Sequence, residues 1–172
     1  MKGFIFRKAE AADMPELLRV AGEARRYIAA QGIDQWQDGY PGADVLEQDI
    51  ALGQLYVFAD GARLAAMAVL SLLPEPVYDG IEGAWRCAGP YLTIHRMAID
   101  DAHRGGGLAA AIVARAEALA RDAHLSSLRA DTHEGNRAMN RFLQKQGFER
   151  CGLVYYHVKT GDPKRIAYEK RM

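Results

Sequence analysis

Three consecutive glycines follow an arginine in Arg104-Gly105-Gly106-Gly107, and an apolar helical pattern begins at once with Leu108-Ala109. Without Cβ atoms, such a turn can point its N–H groups inward. Those donors, backed by the N-terminal end of a helix dipole, suit a pyrophosphate. Arg104 would add a positive charge beside it. The alternative is a tight strand-to-helix turn that holds no ligand. The patterns Gly-x-Gly-x-x-Gly and Gly-x-x-x-x-Gly-Lys-Ser/Thr, which mark dinucleotide and nucleoside triphosphate loops, are both absent. Just upstream, Thr93, His95 and Met97 alternate onto one face of an extended segment. Of the three, His95 has an unperturbed pKa near ~6.5, which suits a general base at neutral pH. Its plainer role is that of a hydrogen-bonded sheet histidine.

These groups need elements to position them. Tyr91 to Ile99 reads as a strand feeding the glycine loop, and Leu108 to Ala123 as an amphipathic helix leaving it. Leu128 to Thr132 is a second strand, with His133 at its end as another basic candidate or a loop-capping residue. Asn136 to Gln146 reads as a helix stopped by Gly147. Val154 to Val158 and Arg165 to Glu169 flank a hairpin turn at Gly161-Asp162-Pro163. Upstream, Phe4 to Arg7 reads as a strand and Asp13 as the N-cap of a helix that ends at Gly32. A short helix spans about Ala43 to Leu52. Leu55 to Phe58 and Arg63 to Leu72 pair across Asp60-Gly61. Leu73 to Pro90 carries three prolines and reads as an irregular insertion. The order βααβββαβαββ implies an α/β or α+β fold in one domain, 1–172.

Composition narrows the function classes. The 172 residues carry 22 Lys+Arg and 22 Asp+Glu, a formal net charge of zero. That argues against nucleic-acid binding by bulk electrostatics. No apolar run approaches the ~20 residues of a membrane span. Met1-Lys2-Gly3 leads straight into Phe4-Ile5-Phe6, so no secretory leader is expected. Cys87 and Cys151 form neither a disulfide framework nor a metal spacing, and read as reduced thiols in a cytoplasmic protein.

Arg104 to Ala109 resembles the Gln/Arg-x-x-Gly-x-Gly/Ala motif of the GNAT family of N-acetyltransferases. Asn136, Ala138 and Gly147-Phe148 resemble that family's following helix-to-strand segment, in register with the first motif. The specific resemblance covers about residues 91–150. It implies a mixed, mostly antiparallel twisted sheet of about seven strands and about four helices, with the fourth and fifth strands parallel and splayed. It also implies acetyl-CoA as donor. The pyrophosphate would rest on the backbone of Arg104, Gly105, Gly106, Gly107, Leu108 and Ala109. The Met97, Ala98 and Ile99 stretch would pair with the pantetheine arm as an added strand does, and Asn136 would lie near that arm. A free N–H near Met97 would polarise the acetyl carbonyl. Arylalkylamine acetyltransferases resemble this sequence in having His at the position of His95. The Tyr that many members carry four residues before Gly-Phe is Leu143 here, which leaves Tyr155 and Tyr156 as candidates to protonate the leaving thiolate.

Two stretches carry acidic and aromatic residues without Lys or Arg. Gln31 to Asp44 holds Asp34, Asp38, Asp44, Trp36 and Tyr40. Leu73 to Trp85 holds Glu75, Asp79, Glu82, Tyr78 and Trp85. In the family such regions border the acceptor, and this composition attracts a cationic amine. The plainer reading is two solvated loops with aromatics packed on the domain. The expectation is transfer of an acetyl group to a primary amine of a small molecule or peptide, in a protein that is a possible homodimer. Two alternatives are a domain of this fold that senses acetyl-CoA without turnover and, more remotely, a nucleotide-binding domain.

Overall fold

The computed structural model describes residues 3–158 and 161–172; Met1 and Lys2, on which the leader reading partly rests, lie outside them. Eight strands form one sheet: β1 (Ile5–Lys8), β2 (Leu55–Asp60), β3 (Arg63–Ser71), β4 (Glu82–Gly83), β5 (Tyr91–Ile99), β6 (Ser127–Thr132), β7 (Glu149–Tyr155) and β8 (Lys164–Arg171). Their order is β1-β2-β3-β5-β6-β8-β7-β4. Four helices accompany them: α1 (Met14–Ala29), α2 (Ala43–Ala51), α3 (Leu108–Asp122) and α4 (Arg137–Lys145). The expected fourth and fifth strands are β5 and β6, the sheet's parallel pair.

The eighth strand is β4, a two-residue piece of the Leu73–Pro90 insertion. It pairs with β7 at Glu82–Leu153 and Gly83–Gly152. The approach is too close for side chains: a Cβ on Gly83 would sit 2.2 Å from the Cys151 carbonyl oxygen. β7 starts five residues earlier than expected, at Glu149, because Gly147 (φ +84°) turns the chain straight from α4 into the sheet. A register shift between Arg150 and Gly152 disturbs the alternation there that would have marked it.

Side-chain alternation sorts the core into layers. Ala66, Ala68, Leu70, Leu92, Ile94, Leu128, Ala130, Ile166 and Tyr168 pack with Leu108, Ile112, Ala116 of α3 and Leu143 of α4. On the other face, Val57, Met67, Val69 and Ala98 pack with Leu17, Val20 and Ala21 of α1 and Leu46 of α2. The β6–β8–β7 side of that second face is closed by the insertion, whose Tyr78 is buried against Val154 and Ala167.

The sheet is interrupted at one functional point. β5 and β6 pair only from Tyr91–Ser127 to Ile94–Ala130 and then separate. On its other edge β5 pairs with β3 at His95–Val69 and Ala98–Met67, so Arg96 and Met97 together oppose Ala68. Arg96 takes a left-handed φ of +50° in this bulge. The bulge corrects the expected alternation. His95 and Ala98 share the α1–α2 face, whereas Met97 turns to the α3–α4 core.

Candidate active site

A cavity of about 480 Å³ lies where β5 and β6 part. Ile94, Met97, Ala130, Met139 and Leu143 line it from the α3–α4 face, and His95, Asp131, Tyr156 and the loop before α2 from the other. The cavity therefore crosses the sheet. Arg96 and Met97 lie outside the β3 ladder by the bulge and outside the β6 ladder by the splay. Their backbone groups are the ones an extended ligand can pair with at this opening.

The glycine loop sits past the end of β5, outside the residues that line the cavity. Gly105 (φ +77°) and Gly107 (φ +89°) occupy left-handed conformations, with no atom within 4 Å of where a Cβ would stand. The first helical bond of α3 runs from the Ala111 N–H to the Gly107 oxygen, 3.0 Å. The amides of Leu108, Ala109 and Ala110 thus have no intrahelical acceptor, and no side chain caps Gly107. Open space above uncapped N–H groups fits a pyrophosphate. The Arg104 side chain is engaged elsewhere. Its guanidinium lies 4.0 Å over the Tyr27 ring of α1 and pairs with Asp101. What Arg104 offers the loop is its backbone, and the expected added charge is turned away. Asn136, buried at the start of α4, lines the cavity while its Oδ1 accepts from the Met139 N–H at 3.1 Å. The cap occupies the amide oxygen and leaves the NH₂ as the donor that a ligand could use.

His95 lies between two carboxylates. Its Nε2 is 3.1 Å from Glu75 Oε2, and its Nδ1 is 3.8 Å from Asp131 Oδ2. The His95 hydrogen bond holds the Glu75 carboxyl below its usual range. Asp131 also accepts hydrogen bonds from the hydroxyls of Tyr78 and Tyr156, both 2.8 Å. Burial pushes both phenols up, so each stays protonated and donates. Of the two acid candidates, Tyr156 lines the cavity. Tyr155 does not: it is 42% exposed and its hydroxyl donates to Glu82, 2.9 Å. The strand ends between them, so the neighbouring side chains part. His133 is occupied, with Nε2 3.2 Å from Asp162 and Nδ1 accepting from the Gly135 N–H.

The expected acceptor residues also divide. Trp36, Tyr40, Asp34, Asp38 and Asp44 line the cavity. Tyr78 and Trp85 stand behind it: the Trp85 ring packs on Tyr78 at a 45° tilt, and its indole N–H donates to the Tyr78 carbonyl, 3.0 Å. Beneath them Arg129 lies between the rings of Trp85 and Tyr91, 4.0 and 3.9 Å away, and pairs with buried Glu169 at 2.9 Å. Asp131, Arg96 and the Arg129–Glu169 pair escaped the sequence reading. The available signal was polar residues at alternating positions of otherwise apolar strands, Arg129 and Asp131 flanking Ala130. Arg96 reaches across to Asp49 of α2, 2.7 Å, and to the Tyr40 hydroxyl, tying the acceptor loop to the bulge. Among the described residues no group of His, Cys, Asp and Glu is placed to hold a metal, and no helix is long and apolar enough to cross a membrane.

A strand pair opened around a bulge, next to a glycine loop that starts a helix, defines a fold with known relatives. The chain matches the Acetyltransferase (GNAT) family over residues 21–148 and belongs to it. A GNAT-family acetyltransferase from Streptococcus agalactiae 2603 superposes with a TM-score of 0.85 at 35% identity, covering 99% of this chain and 96% of that one. A second from Listeria monocytogenes 4b F2365 gives 0.72 at 24%, over 98% and 95%. The PaiA N-acetyltransferase of Thermoplasma acidophilum, solved in complex with coenzyme A, gives 0.74 at 16%, over 98% and 99%. No curated protein matches the chain. The family's acetyl donor is acetyl-CoA.

Proposed function

We propose that the chain is a single N-acetyltransferase domain that transfers the acetyl group of acetyl-CoA to a cationic primary amine of a small molecule or peptide. The observation that carries this reading is the cavity crossing the sheet at the β5–β6 opening, with His95, Glu75 and Asp131 on one side of it. Acetyl-CoA supplies an activated acyl group as a thioester. The residues suited to hold it are the glycine-loop amides, the backbone of Met97 to Ile99 and the Asn136 amide. That the Thermoplasma acidophilum N-acetyltransferase of this fold was solved in complex with coenzyme A supports coenzyme A as the kind of ligand.

From the acceptor side, Asp34, Asp38 and Asp44 draw in an ammonium, and Trp36 and Tyr40 give it aromatic faces. His95 takes the proton that the amine must lose before attack, directly or through one water. Glu75, 3.1 Å from Nε2, and Asp131, 3.8 Å from Nδ1, fix the ring from both sides. The bulge N–H groups at Arg96 and Met97 are placed to stabilise charge on the acetyl oxygen. Tyr156 is the hydroxyl that replaces the missing tyrosine at Leu143, which is buried in the core. Two free thiols suit a reducing, cytoplasmic compartment.

Thiol release from acetyl-CoA, measured against a panel of alkylamines and peptide N-termini, tests the assignment. Turnover with a cationic amine is expected. Tight acetyl-CoA binding with no turnover on any amine would favour a sensing domain instead.

A further inference from the structure

His95 lines a second, smaller cavity of about 150 Å³, on the side away from Asp131. Glu75, His95 and Arg96 border both spaces, whereas Asp131 and Tyr156 border only the larger. Gln54, Thr93 and Ser71, whose hydroxyl accepts from the Leu73 N–H at 3.2 Å, complete the polar wall of the small cavity, and exposed Leu73 and Pro74 form its rim. The Thr93 Oγ1 is buried and has no hydrogen-bond partner within the protein. A buried hydroxyl in a polar, roomy space is a site for water.

Acetylation of an ammonium releases a proton that the transfer itself does not consume. The nitrogen starts with three protons and ends with one. As the C–N bond forms and the C–S bond breaks, one of the two lost protons goes to the departing sulfur, and the other must reach solvent. On the reading proposed above, the thioester and the amine occupy the larger cavity while this happens. Resting on the reading of His95 as base, we propose that the small cavity is the proton exit for cationic acceptors. His95 takes a proton at Nδ1, on the Asp131 side, and returns one from Nε2 to Glu75, which passes it to water held by Thr93 and Ser71.

The surroundings fit a relay. His95 faces Glu75 from the insertion and Asp131 from β6, the latter carrying the Tyr78 and Tyr156 hydroxyls. Arg96 beside it is already matched by Asp49 and Tyr40. Glu75 is held ionised by its hydrogen bond to His95 and by nearby Arg96, so it passes a proton on rather than keeping it.

The test is Thr93→Val with Ser71→Ala, changes of nearly constant volume that strip the small cavity of its hydroxyls. kcat is measured by thiol release at pH 7 with an alkylamine, which like Lys is charged below ~10.4, and with a hydrazide, which is neutral and yields no surplus proton. The double variant is expected to lose about tenfold or more in kcat on the alkylamine and to stay within about twofold on the hydrazide. The loss should fade as pH rises toward the alkylamine's own pKa. Equal losses on both acceptors, or no loss in a folded variant, would overturn the exit. His95→Ala run alongside separates the two levels: full activity there removes the base itself, and the exit with it.

Discussion

The donor side and the acceptor side of this molecule are built from different materials. On the donor side the binding groups we propose are backbone amides, set by Gly105 and Gly107 in left-handed conformations and by the bulge at Arg96. On the acceptor side they are side chains from distant parts of the chain: Glu75 from the insertion, His95 from β5, Asp131 from β6 and Tyr156 after β7, with Tyr78 behind them bonded to Asp131. Backbone sites tolerate most side-chain changes and fail when the chain path is altered. Side-chain sites are sensitive to single substitutions, pH and salt. The two halves should therefore be separable by mutation.

The largest effect is expected beneath the acceptor side. Arg129 and Glu169 are both buried, and Glu169 also accepts from Ser127 at 2.6 Å. Glu169→Gln leaves the Arg129 charge without its partner and should cost roughly 3–5 kcal/mol of stability in denaturant unfolding. The pH dependence follows. Burial alone would raise the Glu169 pKa, but the Ser127 and Arg129 hydrogen bonds outweigh it and the net shift is downward. A lowered folded-state pKa stabilises above the unfolded value of ~4.3 and is lost as pH falls through the folded value. The variant should thus lose part of the acid limb of the wild-type stability curve.

The next effect breaks the donor side alone. Gly107→Glu places a negative side chain in the open space over the α3 amides. Calorimetry should show CoA affinity lower by about a hundredfold or more. Gly107→Ala carries the same left-handed penalty, about 1 kcal/mol, without the charge, and should keep most of the affinity. Equal losses in both would make the loop a matter of backbone strain rather than of anion binding.

A smaller effect sharpens the acceptor side. Asp34→Asn, Asp38→Asn and Asp44→Asn together should raise KM for a cationic amine several-fold, about 1 kcal/mol in all, and spare KM for acetyl-CoA. The wild-type advantage should shrink with added salt. Asp79→Asn with Glu82→Gln, on exposed positions outside the cavity, should leave both constants unchanged.

This division also explains what the sequence made legible. The glycine loop and its flanking elements are local: Arg104 to Ala109 and the helical period after them read directly, and β5, α3, β6 and α4 fall where the pattern puts them. The bulge was hidden, because an extra residue between His95 and Ala98 leaves no mark in an apolar alternation. So Met97 was assigned to the face that Ala98 occupies. The acceptor side depends on contacts such as Tyr78 to Asp131, 53 positions apart, and no spacing rule reaches that far. Trp36 and Tyr40 read as site residues through composition alone, as did Tyr78 and Trp85, yet only the first pair borders the cavity.

The central claim is that His95 performs proton chemistry on an acceptor while the donor is held by backbone. Its most direct test is the pH–rate profile of the wild type and His95→Ala, with acetyl-CoA affinity measured in parallel. His95→Ala should lower kcat by about 10²–10⁴ and abolish the ascending limb that belongs to the imidazole, with acetyl-CoA affinity nearly unchanged. A variant with near wild-type kcat, whose limb survives and moves with the acceptor's own pKa, would contradict the claim and leave His95 a structural residue of the sheet.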